Sequence, residues 1–429
     1  MKKQTRMIGI ASFLFLLVVF SYINVESSYP HDLLMEEKNN TLIQKINLVA
    51  SGCNVCETED NEYEYTIMRP DSETLAQWIE HYNSAPKAIS STESETQMKA
   101  TLGSTNFSLL SHLEYAPDER NQGSCGNCWA WAGTGVLGIA LDVQEGIKDR
   151  LSVQYINSCE SSVIGISCCG GGWLCNLTDF YESTSKTIPW SNTNASWQDG
   201  DESCNTSCST ISTNPGYPIT SINEETIITH NVTNATAIAN IKTVLNQNRA
   251  VWFGFFLPTN SDWNNFFDFW NNDNETDIWD PDYSCGHVWV NGGGHAVLCV
   301  GYNDEDPNNK YWIMLNSWGN STDRPNGLFR VDMDMNYDCY HYNPHPSSYY
   351  SFYWQTLNVT FDIEIPEVVT NTSTNVEETT ATLRGTLLNN GSSDTTCYFL
   401  WNTTDDFESP IGNESIGIMA ENELFSYNI

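Results

Sequence analysis

The run Asn121-Gln122-Gly123-Ser124-Cys125-Gly126-Asn127-Cys128-Trp129-Ala130-Trp131 constrains this chain more than any other stretch, because it sets a thiol at the mouth of a buried helix. After Asn127, the apolar residues Ala130, Val136, Leu137, Ile139, Ala140, Leu141 and Val143 predict a helix that starts at Cys128 and runs to about Gly146. The first turn of a helix presents unpaired N–H groups and the positive end of the dipole, and both favour a thiolate over a thiol. That position suits chemistry better than packing.

Two further motifs supply partners for a thiolate. His295 follows Gly292-Gly293-Gly294 and leads Ala296-Val297-Leu298 into a predicted strand, and Asn316-Ser317-Trp318-Gly319 ends the predicted strand Lys310–Leu315. Sulfur attack on a peptide carbonyl needs an ionised thiol, a base that later protonates the leaving amine, a group that orients the base, and donors for the oxyanion. Each motif alone has a plainer reading: a Gly-His in a strand is commonly structural, Asn-Ser-Trp-Gly can be a turn, and Cys125-x-x-Cys128 matches a thiol oxidoreductase.

Taken together and in this order, Gln122-Gly123-Ser124-Cys125-Gly126-Asn127-Cys128-Trp129, Gly294-His295-Ala296-Val297 and Asn316-Ser317-Trp318-Gly319 resemble the papain-like cysteine peptidases. The resemblance implies Cys128 as nucleophile, His295 as base and acid, Asn316 as the residue that orients the imidazole, and Gln122 as an oxyanion donor beside the Cys128 backbone N–H. It implies that Trp318 shields the His295–Asn316 bond. It also implies a substrate cleft lined by Gly171, Gly172, Gly294 and Ala296, with Trp173 walling the S2 pocket and favouring an apolar or aromatic P2 residue. Glycines suit a surface that a peptide edge must approach closely.

The disulfides implied by the resemblance are Cys125 with Cys169, or with Cys168 one residue away, and Cys285 with Cys339. Cys159 is expected to pair with Cys204 or Cys208, a choice the sequence leaves open. The separations of Cys128 from His295 and Asn316 exceed the roughly 130–150 residues usual in the family, so Ser183–His230 and Ser261–Tyr283 are expected to be insertions that reshape access to the cleft. The fold class expected is α+β: a two-lobed papain-like fold with a helical left lobe and an antiparallel β-barrel-like right lobe, plus a partial β-sandwich at the C-terminus.

The outer segments read differently. Lys2, Lys3 and Arg6 precede an apolar run from Met7 to Val25, so residues 1–27 are expected to be a signal peptide or a signal anchor. Residues 28–103 are polar and acidic and occupy the place of a propeptide or a stalk. They contain one helix signal, Asp71 or Ser72 as N-cap with Leu75, Trp78, Ile79 and Tyr82 on one face before Pro86. Cys53-x-x-Cys56 reads as a local disulfide in preference to half of a zinc site. Residues 104–362 are expected to form the peptidase domain. Residues 363–429 alternate like short strands and resemble a fibronectin type III-like module, expected to be incomplete because such a sandwich needs roughly 100 residues.

With 54 acidic against 18 basic residues the chain carries a formal charge of −36, which argues against nucleic-acid or anionic-membrane partners. Its 14 Cys behind a leader favour disulfides over metal ligands. Asn-x-Ser/Thr sites at Asn106, Asn176, Asn194, Asn205, Asn231, Asn234, Asn274, Asn320, Asn371 and Asn402 are compatible with glycosylation. The expectation is a secreted or surface-anchored monomeric cysteine endopeptidase, made as a precursor, acting on peptides or proteins without metal or organic cofactor. Catalytically silent surface binding is the alternative.

Overall fold

A computed structural model describes residues 66–89, 105–342, 348–362, 367–377, 380–389, 395–401, 412–419 and 422–429. The leader at 1–27, Cys53, Cys56, much of the 28–103 segment and Asn402 lie outside the described residues. No described helix is long and apolar enough to cross a membrane.

The first described helix, α1 (Ser72–Ser84), begins where the sequence places it: Asp71 accepts the Thr74 N–H at 2.7 Å, and Leu75, Trp78 and Tyr82 form its buried face. Strand β1 (Asn106–Ser108) precedes α2 (Cys128–Glu145), which stops at Gly146 in the left-handed region, φ 67°. Nearly every α2 residue through Leu141 is buried, as befits a helix with apolar residues on all sides. Helix α3 (Val153–Val163) is capped by the Ser152 hydroxyl, and α4 (Leu174–Thr184) follows. A Cβ added at Gly133 of α2 would come within 2.4 Å of Leu177 Cδ1, so the missing side chain lets α2 and α4 close on each other.

The second half is mostly sheet. Strands β2 (Lys186–Thr187) and β3 (Tyr217–Thr226), helix α5 (Asn234–Asn246), strand β4 (Val251–Thr259), helix α6 (Asn260–Asn272) and strand β5 (Ile278–Trp279) lead to the long β6 (Asn291–Asn303). Strands β7 (Tyr311–Leu315), β8 (Leu328–Asp332), β9 (Tyr340–Tyr342), β10 (Ser348–Tyr350) and β11 (Phe352–Phe361) follow. The main sheet runs β2-β3-β11-β4-β6-β7-β8-β5 with β1 added on β6, and every pair in it is antiparallel except β5 with β8. Among the described residues no pairing joins β2 to β5, so this largely antiparallel, barrel-like lobe does not close into a barrel. The fold is α+β, with a helical lobe packed against this sheet.

Both expected insertions carry structure. The 183–230 stretch contributes β2 and β3, and β3 pairs along β11 from Ile219 to Thr226. The 261–283 stretch is largely α6, whose N-terminus is closed by a reciprocal Thr259–Asp262 box and whose Phe266, Phe267 and Trp270 pack on Trp318. Its Trp and Phe side chains are buried, so most of the stretch packs as a helix against the sheet.

At the C-terminus, β12 (Glu367–Thr374), β13 (Thr382–Asn389), β14 (Thr395–Trp401), β15 (Gly412–Met419) and β16 (Leu424–Asn428) make two sheets, β12-β13-β16 and β14-β15. Leu387, Cys397, Phe399, Met419 and Phe425 form a small core of their own, the partial sandwich expected from the alternating pattern.

Candidate active site

The sheet register brings the His and Asn motifs together. Leu298 of β6 lies opposite Leu315 of β7, so one residue beyond β7 Asn316 comes diagonally across from His295, and Trp318 comes opposite it. His295 Nε2 lies 2.8 Å from Asn316 Oδ1, and that oxygen also accepts the Ser317 N–H at 2.8 Å. An oxygen that already accepts one N–H is acceptor to the ring as well, so Nε2 carries the proton and Nδ1 is the basic nitrogen. Nδ1 is buried and has no hydrogen-bond partner among the described residues. The Trp318 ring stacks on the imidazole at 4.5 Å, and Phe255 meets it edge-on at 5.6 Å.

Cys128 is the first residue of α2 and is a free, fully buried thiol. Burial pushes it up to about 12, while hydrogen bonds from backbone N–H groups, Ala296 first, pull the other way. The sulfur therefore lies against the residue that follows His295. Burial likewise pushes His295 down to about 4 against the pull of its Asn316 bond. In this closed state, desolvation holds both groups neutral.

Gln122 stitches the lobes together. Its N–H donates to Ser317 O at 2.8 Å, its Oε1 accepts from Ser317 Oγ at 2.7 Å, and its Nε2 donates to Cys125 O at 2.8 Å. The same Nε2 donates to Thr66 O at 3.1 Å. Met68 and Gly294 then pair as an antiparallel bridge, and a Cβ at Gly293 would fall 2.6 Å from Ile67 Cδ1. On the other side Gly171 faces Met68: a Cβ there would meet Met68 Cβ at 3.4 Å. Gly172 packs on the Trp129 ring. Residues 66–68 thus lie between Gly171 and Gly294 and reach Gln122.

Helix α1 continues this cover. Trp78 stacks on Trp173 at 5.8 Å, and Tyr82 packs against His230 and Tyr353. Beyond α1, Thr226 N–H donates to Pro86 O and Ala88 N–H to Thr226 O, which fastens the segment to the end of β3. Trp173 is fully buried among Trp252, Phe256 and Tyr353, with Trp78 laid over it. Sequence reasoning missed the role of Thr66-Ile67-Met68-Arg69. The available signal was the apolar pair Ile67-Met68, followed by Arg69, Pro70 and a capped helix. It also passed over Ser317, whose hydroxyl and carbonyl hold Gln122.

Four disulfides are present: Cys125–Cys169, Cys159–Cys208, Cys168–Cys204 and Cys285–Cys339. The open choice for Cys159 falls on Cys208, and Cys204 instead takes Cys168, the residue beside Cys169. Cys208 opens a short helical turn packed on α3, within reach of Cys159, whereas Cys204 lies on the loop over Cys168 and Cys169. The sulfurs of Cys168, Cys169 and Cys204 lie within 4.8 Å of one another, but all three are spent in disulfides and offer no thiolate to a metal. Most of the described sequon asparagines are exposed; Asn176 is half-buried, and its Oδ1 accepts the Trp173 N–H at the start of α4.

The family profile described as papain family cysteine protease matches residues 112–256 and 269–347, over half of the chain, and skips the start of α6. The chain is 28% identical over 229 residues to Cathepsin B-like CP2 of Giardia intestinalis, covering 52% of this chain and 66% of that protein. It is 25% identical over 228 residues to senescence-specific cysteine protease SAG12 of Arabidopsis thaliana, covering 50% of this chain and 53% of that one. The chain therefore spans between half and two thirds of these relatives. Among solved structures, the bromelain protease from Ananas comosus in complex with the E64 inhibitor aligns with TM-score 0.38 and 20% identity, over 54% of this chain and 91% of that chain.

Proposed function

Because the chain belongs to the papain family of cysteine proteases, we propose that it is a secreted cysteine endopeptidase, made as a precursor and described here in its covered form. The observation that carries the reading is His295: its Nε2 is tied to Asn316 Oδ1 while its Nδ1 is bare, on the strand whose next N–H reaches the Cys128 sulfur.

In an open cleft, His295 Nδ1 takes the Cys128 proton and the thiolate attacks the substrate carbonyl carbon. Gln122 Nε2 and the Cys128 backbone N–H hold the oxygen as it gains charge. The imidazolium gives its proton to the leaving amine, which departs and leaves an acyl-enzyme thioester. Water, deprotonated by the same nitrogen, then releases the acid and restores the thiol. Asn316 keeps Nδ1 aimed at the sulfur throughout, and the stacked Trp318 keeps water from the Nε2 bond.

Residues 66–89 are the inhibitory part of the precursor. Thr66 O already occupies a Gln122 donor bond, and Met68 takes the backbone of Gly294. Met68 sits at Gly171 while Thr66, earlier in the chain, sits at Gln122. A substrate would place its earlier residues on the glycine side, so the segment runs the opposite way and offers no peptide bond for attack.

The test is alkylation with an epoxide or iodoacetamide probe before and after processing between the cover and residue 105, alongside hydrolysis of a denatured protein. We expect Cys128 labelling and hydrolysis only after processing. A processed protein that neither hydrolyses nor labels at Cys128 overturns the reading.

A further inference from the structure

Arg120 is 6% exposed, and its guanidinium is spent on two neutral carbonyls: Nε donates to Asn316 O and Nη2 to Trp131 O, both at 3.0 Å. Among the described residues no carboxylate forms an ion pair with it. Burial, with the like charge of Arg150 also acting on it, lowers its pKa to about 10. A buried cation without a counter-charge is costly, and native folds ordinarily supply one.

Arg120 lines a cavity of about 20 Å³ together with Arg150, Trp131, Thr134 and Gly138. Three buried atoms of this lining have no hydrogen-bond partner among the described residues: Arg150 Nη2, Trp131 Nε1 and Thr134 Oγ1. The first two can only donate, and the hydroxyl can donate. The acids of the same lining are engaged elsewhere. Glu114 pairs with Lys148 at 3.7 Å, and Asp149 accepts from Tyr217 Oη and from the Arg150 backbone N–H. Glu119 holds the other arm of Arg150. The volume admits a single occupant about the size of a water molecule. Water filling it would bring two protons to a set of donors, whereas a monatomic anion only accepts and brings a charge opposite to that of Arg120 on the same lining.

We propose that this cavity is a halide site, filled by chloride under ordinary conditions, between Arg120 and Arg150. Its place gives it a structural consequence. Arg120 ties the Asn316 carbonyl to the Trp131 carbonyl of α2, so the ion steadies the junction between the helical lobe and the sheet. The proposal stands independently of peptidase activity.

The test uses the full-length chain in sodium gluconate at fixed ionic strength, with gluconate exchanged for chloride or bromide. We expect a saturable rise in Tm of about 2–4 °C with either halide. Crystals grown with sodium bromide should show an anomalous peak within contact of Arg150 Nη2, Trp131 Nε1 and Thr134 Oγ1. Thr134→Val and Arg150→Gln should each remove most of the halide-specific shift. Equal melting in gluconate and halide, a water molecule only in the cavity, or a full shift retained by both variants overturns the site. If neither variant folds, the bromide map of the unaltered chain decides.

Discussion

Met68 and Gly294 exchange two backbone hydrogen bonds, N–H to C=O in each direction at 2.8 Å, so the residue before His295 is already paired along a peptide edge. In the proposed mechanism the bridge occupies the edge that a substrate backbone would use, and it is made by the chain itself.

Met68→Pro removes the N–H that donates to Gly294 O and leaves the α1 contacts in place. We expect the full-length variant to label at Cys128 at least about tenfold faster than the unaltered chain, as roughly one lost hydrogen bond implies. Time-resolved mass spectrometry of the alkylated protein checks this, and unchanged labelling would remove residues 66–68 from any inhibitory role.

Substitution at the site should separate chemistry from folding. Cys128→Ala and His295→Ala should each lower kcat of the processed protein by at least about 10³-fold. Asn316→Ala should cost less than His295→Ala, since it loosens the ring without removing the base. Steady-state kinetics with matched circular dichroism spectra would check the order. An active His295→Ala would favour disulfide chemistry at Cys125 and Cys128.

Gln122→Ala should lower kcat about 10²–10³-fold with a smaller change in KM, the pattern of a donor used mainly in the transition state. It also removes the bond to Thr66 O, so the covered form should open more readily. Hydrogen exchange at residues 66–68 would register this separately from turnover.

Acid should loosen the covered form. His295, His230 and His341 are each lowered to about 4 by burial, from an ordinary value of 6.5. The unfolded chain therefore binds more protons between those limits, and their stabilisation, complete above pH 6.5, is lost as pH falls toward 4. Glu160 acts in the opposite sense: burial raises it from 4.5 to about 9, so its contribution falls as pH rises through that range. Three histidines outweigh Glu160 between pH 4.5 and 6.5, so the net effect of these four groups there is a loss of stability on acidification. His230 packs against Tyr82 of α1, so the cover should be sensitive to this loss. Melting curves and limited proteolysis from pH 4 to 9 check it; a Tm constant from pH 6.5 to 4 would contradict the assignment.

The Cys168–Cys204 bond closes a separation of 36 residues, and replacing both with Ser should cost about 2–4 kcal/mol. Peptide mapping without reduction should recover Cys159 linked to Cys208 and Cys168 to Cys204. Recovery of a Cys159–Cys204 peptide would refute the pairing described.

The residue types and order of Gln122, Cys128, His295 and Asn316 were legible in the chain, as were α1, α2 and the strands β4, β6, β7 and β8, because those features rest on local periodicity, capping and turn chemistry. Other features depend on residues far apart in sequence. Whether Cys159 meets Cys204 or Cys208 depends on where a loop crosses α3. That 261–283 packs as a helix on Trp318 depends on an aromatic cluster drawn from several segments. That Thr66 reaches Gln122 and Met68 reaches Gly294 requires a polar, acidic segment to cross the groove between two lobes. The buried charge of Arg120 looks ordinary in sequence, since nothing near it in the chain reveals that no carboxylate will fold against it. Sequence by itself determined the reactive groups and the local elements that carry them. Tertiary structure decided what covers them and which charges are left to be answered, because burial and long-range pairing are properties of the packed chain and not of any window along it.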